Sequence, residues 1–142
     1  MTTINPYLNF NGNTEEAFNF YKSVFGGEFS MIQRFKDTPE AERTPAGDQN
    51  KIMHIALPVG KGMMLMATDA LESHGHVVKQ GTNFHLSVST ESEEETRKIF
   101  NALSAGGKVT VALEKMFWGA YFGMCTDKFG IQWMVNYDAN KK

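Results

Sequence analysis

Residues 7–25, which read YLNFNGNTEEAFNFYKSVF, decide the fold. Polar and apolar residues alternate from Tyr7 to Asn11, which is typical of a strand with one buried face. Asn13 or Thr14 can cap a helix there, and two glutamates follow where the helix dipole favours negative charge. Apolar residues then recur at a spacing of three and four, namely Ala17, Phe20, Tyr21, Val24 and Phe25. The stretch therefore predicts a strand followed by a helix.

The same pattern occurs a second time. The alternation from His85 to Ser89 begins 78 residues after Tyr7, and Thr90 or Ser92 precedes three consecutive glutamates. The second predicted helix carries its apolar residues at Ile99, Phe100 and Leu103. Both helices are expected to end at glycine pairs, 26–27 and 106–107, which suit a left-handed helix end. Such self-similarity indicates an internal repeat.

Three further strands are predicted in each copy. Residues 28–36, 51–59 and 62–67 form those of the first copy, and residues 108–115, 120–126 and 130–135 form those of the second. Each copy is therefore β-α-β-β-β within one domain spanning 1–142. The first module covers 1–69, a linker 70–83, and the second module 84–142.

Two polar segments interrupt the repeat. Residues 37–50 contain two prolines and are long enough to be either a lid or a poorly ordered connection. The linker contains His74 and His76, which have no carboxylate or cysteine neighbours at metal-ligand spacing. Two such histidines are more often solvated than metal-binding.

Composition excludes several classes of protein. Fourteen basic and sixteen acidic residues among 142 give a net charge of −2, which argues against nucleic acid as a partner. No apolar run reaches the ~18 residues of a membrane span, and residues 1–6 carry no signal-peptide pattern, so a cytoplasmic protein without membrane contact is expected. The single cysteine, Cys125, excludes an intrachain disulfide and is expected to be packed. Nine methionines and eleven phenylalanines favour an adaptable apolar interior or pocket.

The first strands suggest where a site lies. Leu8 and Phe10, like Leu86 and Val88, belong to the faces that the helices must cover. Placed side by side with helices outward, two such sheets would leave a cupped surface lined by the alternate residues, and concave surfaces bind small ligands. The alternative is an ordinary solvated sheet face.

The sequence resembles a known family at both ends. The motifs PYLNFNGN at 6–13, EEAF at 15–18 and FGG at 25–27 are similar to those of PhnB-like proteins. FWG at 117–119, TD at 126–127, FG at 129–130 and Gln132-Trp133 strengthen the resemblance. These proteins belong to the vicinal oxygen chelate superfamily, with glyoxalase and bleomycin-resistance proteins. Some carry a methyltransferase label, but this sequence has no Gly-rich strand-loop-helix for the methyl donor's nucleotide.

The resemblance implies an α+β fold in which two βαβββ modules form a cupped eight-stranded mixed sheet with helices outside, and commonly a homodimer. Metal-using members place ligands on the first and last strand of each module. Those positions fall at Tyr7, Met66, His85 and Met134. Only His85 is a good ligand, and thioethers bind hard divalent ions poorly. Neither a metal nor another cofactor is therefore expected.

Two histidines are candidates for chemistry. His85 is the first choice for a catalytic base, and His54, on the expected face of Ile52 and Ala56, is the second. Either imidazole can instead be a hydrogen-bonded structural group. Trp133 is expected in the core. The expected ligand-binding residues are Tyr7, Asn9, His54, Met66, Ser87, Trp118, Gln132 and Met134.

The sequence favours a metal-free protein that binds a small, partly apolar molecule. The alternative is a small-metabolite lyase, isomerase or transferase that uses His85 as a base or a divalent metal. A purely structural or partner-binding protein is a third possibility.

Overall fold

The computed structural model describes residues 2–139, which form two compact units divided between Lys79 and Gln80. The first unit contains β1 (Tyr7–Phe10), α1 (Thr14–Phe25), β2 (Met31–Arg34), β3 (Ile52–Val59) and β4 (Met63–Asp69). The second contains β5 (Leu86–Ser89), α2 (Glu93–Ser104), β6 (Lys108–Lys115), β7 (Tyr121–Thr126) and β8 (Gln132–Tyr137). The predicted α+β class and the two βαβββ modules are confirmed.

The eight strands form two four-stranded mixed sheets, one in each unit. The strand order is β1-β4-β3-β2 in the first sheet and β5-β8-β7-β6 in the second. β1 pairs in parallel with β4, and β5 with β8, while the other neighbours are antiparallel. The first and last strands of each module therefore lie side by side.

The core of the first unit lies between α1 and one face of its sheet. Leu8 and Phe10 are buried as predicted. The buried face of α1 includes Phe18, whereas Phe20 is only half-buried. The three-and-four spacing correctly predicted a helix. It did not predict the whole buried face, because it included Phe20 and left out Phe18.

A buried carboxylate holds the start of α1. Asn13 precedes the helix but makes no capping hydrogen bond. Instead, Asp69 at the end of β4 accepts hydrogen bonds from the Thr14 backbone N–H (3.0 Å) and from Thr14 Oγ1 (2.6 Å). Its second oxygen accepts the Ile52 N–H at 2.8 Å. One side chain therefore joins α1, β3 and β4.

The helix ends differ from the expected left-handed cap. Gly26 follows α1 with φ 79° and ψ −170°, an extended conformation at positive φ that side chains disfavour. α2 is followed by Ala105 in the β region, and Gly106 takes the positive φ one residue later. The glycine pairs mark the helix ends correctly, but the residue that directly follows each helix, Gly26 or Ala105, is not in the αL conformation.

The core of the second unit lies between α2 and the sheet. Trp133 is 3% exposed, which confirms its predicted core position. Its Nε1–H donates to Asp127 Oδ2 at 2.8 Å, and Asp127 Oδ1 accepts from the Phe129 and Ile131 N–H groups. Cys125 is fully buried, as expected for a packed thiol.

Residues 37–50 are folded into short turns. They contain the end of a 3₁₀ turn at Phe35–Asp37 and two more at Pro39–Arg43 and Ala46–Asp48. His74 Nε2 lies 3.3 Å from Thr44 Oγ1 and 3.2 Å from the Arg43 carbonyl oxygen. The expectation that His74 is simply solvated was therefore wrong, since it ties the linker to this segment, whereas His76 is exposed.

Candidate functional site

We call the surface of each sheet opposite its helix the open face of that unit. In the first unit, β1 places Tyr7 and Asn9 on this face, because Leu8 and Phe10 alternate with them and are buried. Tyr7 lies opposite Met66 on β4, and Asn9 lies opposite Thr68. Met66 in turn pairs with Ala56 on β3. The first open face therefore combines hydrogen-bonding groups with a thioether.

Tyr7 and His54 form a pair on the first open face. Tyr7 Oη lies 3.3 Å from His54 Nδ1, and the two rings are stacked with centroids 5.7 Å apart and planes 27° apart. Tyr7 is 45% exposed. Burial raises the pKa of the Tyr7 phenol, and a hydrogen bond with Thr68 partly offsets this increase. The phenol is therefore a neutral hydrogen-bonding group near neutral pH.

His54 does not share its face with Ile52. Gln33 pairs with His54, but its neighbour Arg34 pairs with Ile52, so β3 contains one extra residue, Met53, at this point. Such a bulge breaks the alternation of side chains. Ile52 is consequently buried on the helix side, where its N–H meets Asp69. The expectation that His54 shares a face with Ala56 agrees with the register, whereas the one for Ile52 was wrong.

The second open face is built in the same way. Ser87 on β5 lies opposite Met134 on β8, and Met134 pairs with Met124 on β7. Ser87 is exposed and both methionines are half-buried. A thioether thus occupies the same position beside the first strand in each unit.

Trp118 lies outside the strands, in the turn between β6 and β7. It is 52% exposed and contacts Phe117 and Phe122 edge-on, with ring centroids 4.9 Å and 6.0 Å away. Phe122 pairs with Asn136 on the second open face. The turn therefore places an aromatic cluster at an end of β7.

His85 lies just before β5. It is not the structural equivalent of Tyr7, although the alignment of the two sequence copies pairs these residues. Because Met66 faces Tyr7 whereas Met134 faces Ser87, the register equivalent of Tyr7 is Ser87, two residues after His85. His85 is half-buried. Gln132 donates its side-chain N–H to the carbonyl oxygen of Phe84 at 2.6 Å, which fixes the backbone beside His85.

The register also decides how well the residues fit a divalent metal. The first-strand and last-strand positions hold a phenol, a hydroxyl and two thioethers, namely Tyr7, Ser87, Met66 and Met134. A divalent metal in a catalytic site needs about three good protein donors, and these groups do not provide them. Residues 2–139 also hold no group of three His, Cys, Asp or Glu side chains that could bind a metal ion.

The sequence indicates Tyr7 and His54 separately but does not reveal their contact. The two residues are 47 positions apart on strands that are not neighbours, since β4 lies between β1 and β3. Only the strand order brings them together.

The two helices of the described chain span 12 residues each, and neither is long and apolar enough to cross a membrane.

Comparisons with known proteins agree with this fold. A family model described as 3-demethylubiquinone-9 3-methyltransferase matches residues 2–136. The chain is 34% identical over 141 residues to protein YjdN of Escherichia coli, covering 94% of this chain and 93% of that protein.

Solved structures match over nearly the whole chain. The crystal structure of protein PA1353 from Pseudomonas aeruginosa is 40% identical, has a TM-score of 0.85, and is matched over 97% of this chain and 98% of its own. A PhnB protein from Bacillus cereus is 27% identical with a TM-score of 0.76, over 96% and 99% of the two chains.

A more distant structure extends the likeness in fold. A glyoxalase/bleomycin resistance protein/dioxygenase family enzyme from Burkholderia phytofirmans is 20% identical with a TM-score of 0.59, over 92% of this chain and 95% of that one. The chain therefore belongs to the PhnB-like family, whose model is described as 3-demethylubiquinone-9 3-methyltransferase, and it shares its fold with a glyoxalase/bleomycin resistance protein/dioxygenase family enzyme.

Proposed function

We propose that this protein binds a small, partly apolar molecule on the open faces of its sheets and does so without a catalytic metal. The observation that carries the proposal is the pair of thioethers, Met66 and Met134, each opposite a hydroxyl-bearing residue of the first strand. Methionine adapts its shape to an apolar ligand. The neighbouring hydroxyl and imidazole groups can orient a polar atom of that ligand.

Each open face has its own residues that are expected to contact a ligand. On the first face they are Tyr7, Asn9, His54 and Met66. On the second face they are Ser87, Gln132, Met134 and the neighbouring Trp118. Gln132 is the weakest member, because its side-chain N–H already holds the Phe84 carbonyl oxygen.

Methyl-labelled methionine gives a direct test of this binding. Small aromatic probes such as ethylbenzene and acetophenone would be titrated while the methyl NMR signals of Met66 and Met134 are followed. We expect both methyl signals to shift on binding. Met63 is the control, because it alternates with Met66 along β4 and is exposed. Equal shifts at Met63, or no shift at Met66 and Met134, would contradict the proposal.

A matched pair of charged variants tests the same point. Met66→Lys would place a charge on the first open face, so we expect it to weaken probe binding at least tenfold. Met63→Lys adds the same charge on the alternate side of β4 and should leave binding within about twofold. Similar effects of both variants would indicate a general effect on the fold instead.

Enzyme activity is the second candidate function, and the environment of His85 favours it. This half-buried imidazole makes no hydrogen bond within residues 2–139, so it is available as a base for a lyase, isomerase or transferase reaction. Metal analysis separates the main alternatives. Stoichiometric Ni, Zn, Mn or Fe in the purified protein, with an activity that chelation removes, would overturn the metal-free proposal.

The proposal also places the protein in the cytoplasm as a homodimer. The family resemblance supports the dimer, and the single, buried cysteine agrees with a reducing compartment. Light scattering after size-exclusion chromatography should give twice the monomer mass. A monomer across the micromolar range would contradict the dimer.

A further inference from the structure

The two ring nitrogens of His54 have different environments. Nδ1 lies 3.3 Å from Tyr7 Oη, whereas Nε2 makes no hydrogen bond to any part of the chain from residue 2 to 139. Within that range no buried side-chain nitrogen or oxygen lacks a hydrogen-bond partner. Nε2 of this half-buried side chain is therefore accessible from outside the unit.

The contact with Tyr7 is linked to which nitrogen of His54 carries the proton. Burial raises the pKa of the Tyr7 phenol, so its oxygen keeps its hydrogen and can donate it. Donation from Tyr7 Oη to Nδ1 leaves Nδ1 unprotonated and the proton of the neutral imidazole on Nε2, whereas donation from Nδ1–H to the phenol oxygen leaves Nε2 without a proton. The ring stacking at 5.7 Å keeps both rings in this arrangement.

The side chains around His54 on the first open face are uncharged. The open-face positions of β1–β4 follow from the strand register, in which Gln33 on β2 lies opposite His54. They hold Tyr7, Asn9, Met31, Gln33, His54, Ala56, Pro58, Met64, Met66 and Thr68. A charged ligand group would find no ionic partner among these side chains, whereas a neutral oxygen needs only one donor.

We infer that His54 donates its Nε2–H to the oxygen of a small apolar carbonyl compound, and that Tyr7 is the positioning residue that fixes this tautomer. The inference rests on the proposed function, because it specifies the chemical class of the ligand. The body of the ligand would lie against the half-buried Met66, which is opposite Tyr7 in the strand register. A matched hydrocarbon without the oxygen should then bind more weakly.

Nitrogen NMR of the ligand-free protein tests the tautomer. We expect the ¹⁵N shifts of His54 at pH 8 to indicate the Nε2–H form in the wild type. In Tyr7→Phe, which keeps the ring but removes the hydroxyl, they should indicate a mixture of both tautomers. A predominant Nδ1–H form, or a tautomer ratio that Tyr7→Phe leaves unchanged, would overturn the inference even if the variant folds normally.

Acetophenone and ethylbenzene test the ligand class, because they differ mainly in one carbonyl oxygen. We expect acetophenone to bind about 3- to 10-fold more tightly, the usual range for one neutral hydrogen bond. His54→Gln can place an amide N–H near the position of Nε2 and should keep part of this preference. His54→Asn places its amide nearer to Nδ1 and should abolish the preference.

The outcomes separate this inference from the proposed function. Equal binding of both compounds, with shifted Met66 methyl signals, would overturn the carbonyl inference and leave the binding proposal standing. Tighter binding of benzoate than of acetophenone would also overturn it, in favour of an anionic ligand. If neither compound shifts the Met66 or Met134 signals at millimolar concentration, both proposals fail.

Discussion

Two buried aspartates position backbone groups in this protein. Asp69 accepts hydrogen bonds from Thr14 and Ile52, and Asp127 accepts them from Phe129, Ile131 and the Trp133 indole. A buried donor or acceptor that loses its partner costs about 1–3 kcal/mol. These carboxylates are therefore more sensitive to loss of a partner than any exposed ion pair of the described residues.

Trp133→Phe should destabilise the second unit. Phenylalanine fills most of the space but cannot donate to Asp127 Oδ2, so we expect the free energy of unfolding to fall by about 1–3 kcal/mol in urea titrations. Trp118→Phe is the matched control. Because Trp118 is 52% exposed, its substitution should change stability by less than about 0.5 kcal/mol. Equal effects would contradict the role assigned to the indole N–H.

The Cys125 thiol should be unreactive in the folded protein. Burial and the negative charge of Asp127 raise the pKa of this thiol to about 11. At pH 8, iodoacetamide should label the native protein far more slowly than the protein in 6 M urea. The thiol of the unfolded protein ionises at a lower pH than the buried thiol. The free energy of unfolding should therefore be unaffected by this group below pH ~9 and should fall as the pH rises toward 11. Rapid native labelling at pH 8 would contradict this.

The sequence was sufficient for some side chains and not for others. Trp133 was placed in the core because strand alternation assigns each residue to one face. The same rule failed at Ile52, since a bulge at Met53 is not visible in the alternation. It also could not reveal the Tyr7–His54 contact, which depends on the order of strands in the sheet.

The two helices begin with different caps. Ser92 Oγ accepts the Glu95 N–H at 3.1 Å, a local cap within the sequence. α1 depends instead on Asp69, which lies 55 residues after Thr14. The capping residue of α2 was therefore among those predicted, while that of α1 required the tertiary structure.

Removing the two caps should have unequal effects. Ser92→Ala removes one exposed hydrogen bond and should cost about 1 kcal/mol. Asp69→Ala removes three buried hydrogen bonds and should cost about 3 kcal/mol or more. Urea titrations monitored by circular dichroism would measure both. The account of α1 would be wrong if Asp69→Ala cost no more than Ser92→Ala.

Close packing of α2 requires a glycine in β7. A Cβ atom at Gly123 would lie 2.8 Å from Phe100 Cε1 and 3.0 Å from the Leu113 backbone. Gly123→Ala should therefore destabilise the protein by about 1–3 kcal/mol. The smaller side chain of Phe100→Leu should relieve part of this cost in the double variant. Purely additive losses would contradict the contact.

Element types were well predicted, and their ends less so. β6 has its predicted bounds. β2 is shorter than the predicted 28–36, because Phe35 begins a 3₁₀ turn. The register of β5 escaped prediction because a shift of two residues keeps the same alternation, so the sequence did not distinguish His85 from Ser87 as the equivalent of Tyr7.

For the molecule as a whole, the repeat decides the fold and leaves the function open. Two βαβββ modules place the same kind of residue, a methionine beside the first strand, in each unit. The same fold carries many chemistries, so function must be argued from those residues. Their thioethers argue against a bound divalent ion and favour an apolar ligand.

Native mass spectrometry of the protein purified from its own host tests the central claim most directly, since it detects bound ligand and metal in one spectrum. We predict a bound organic molecule of a few hundred daltons or less, displaced by millimolar acetophenone, and no stoichiometric metal ion. A stoichiometric divalent cation on the native protein, with no organic ligand, would contradict the account.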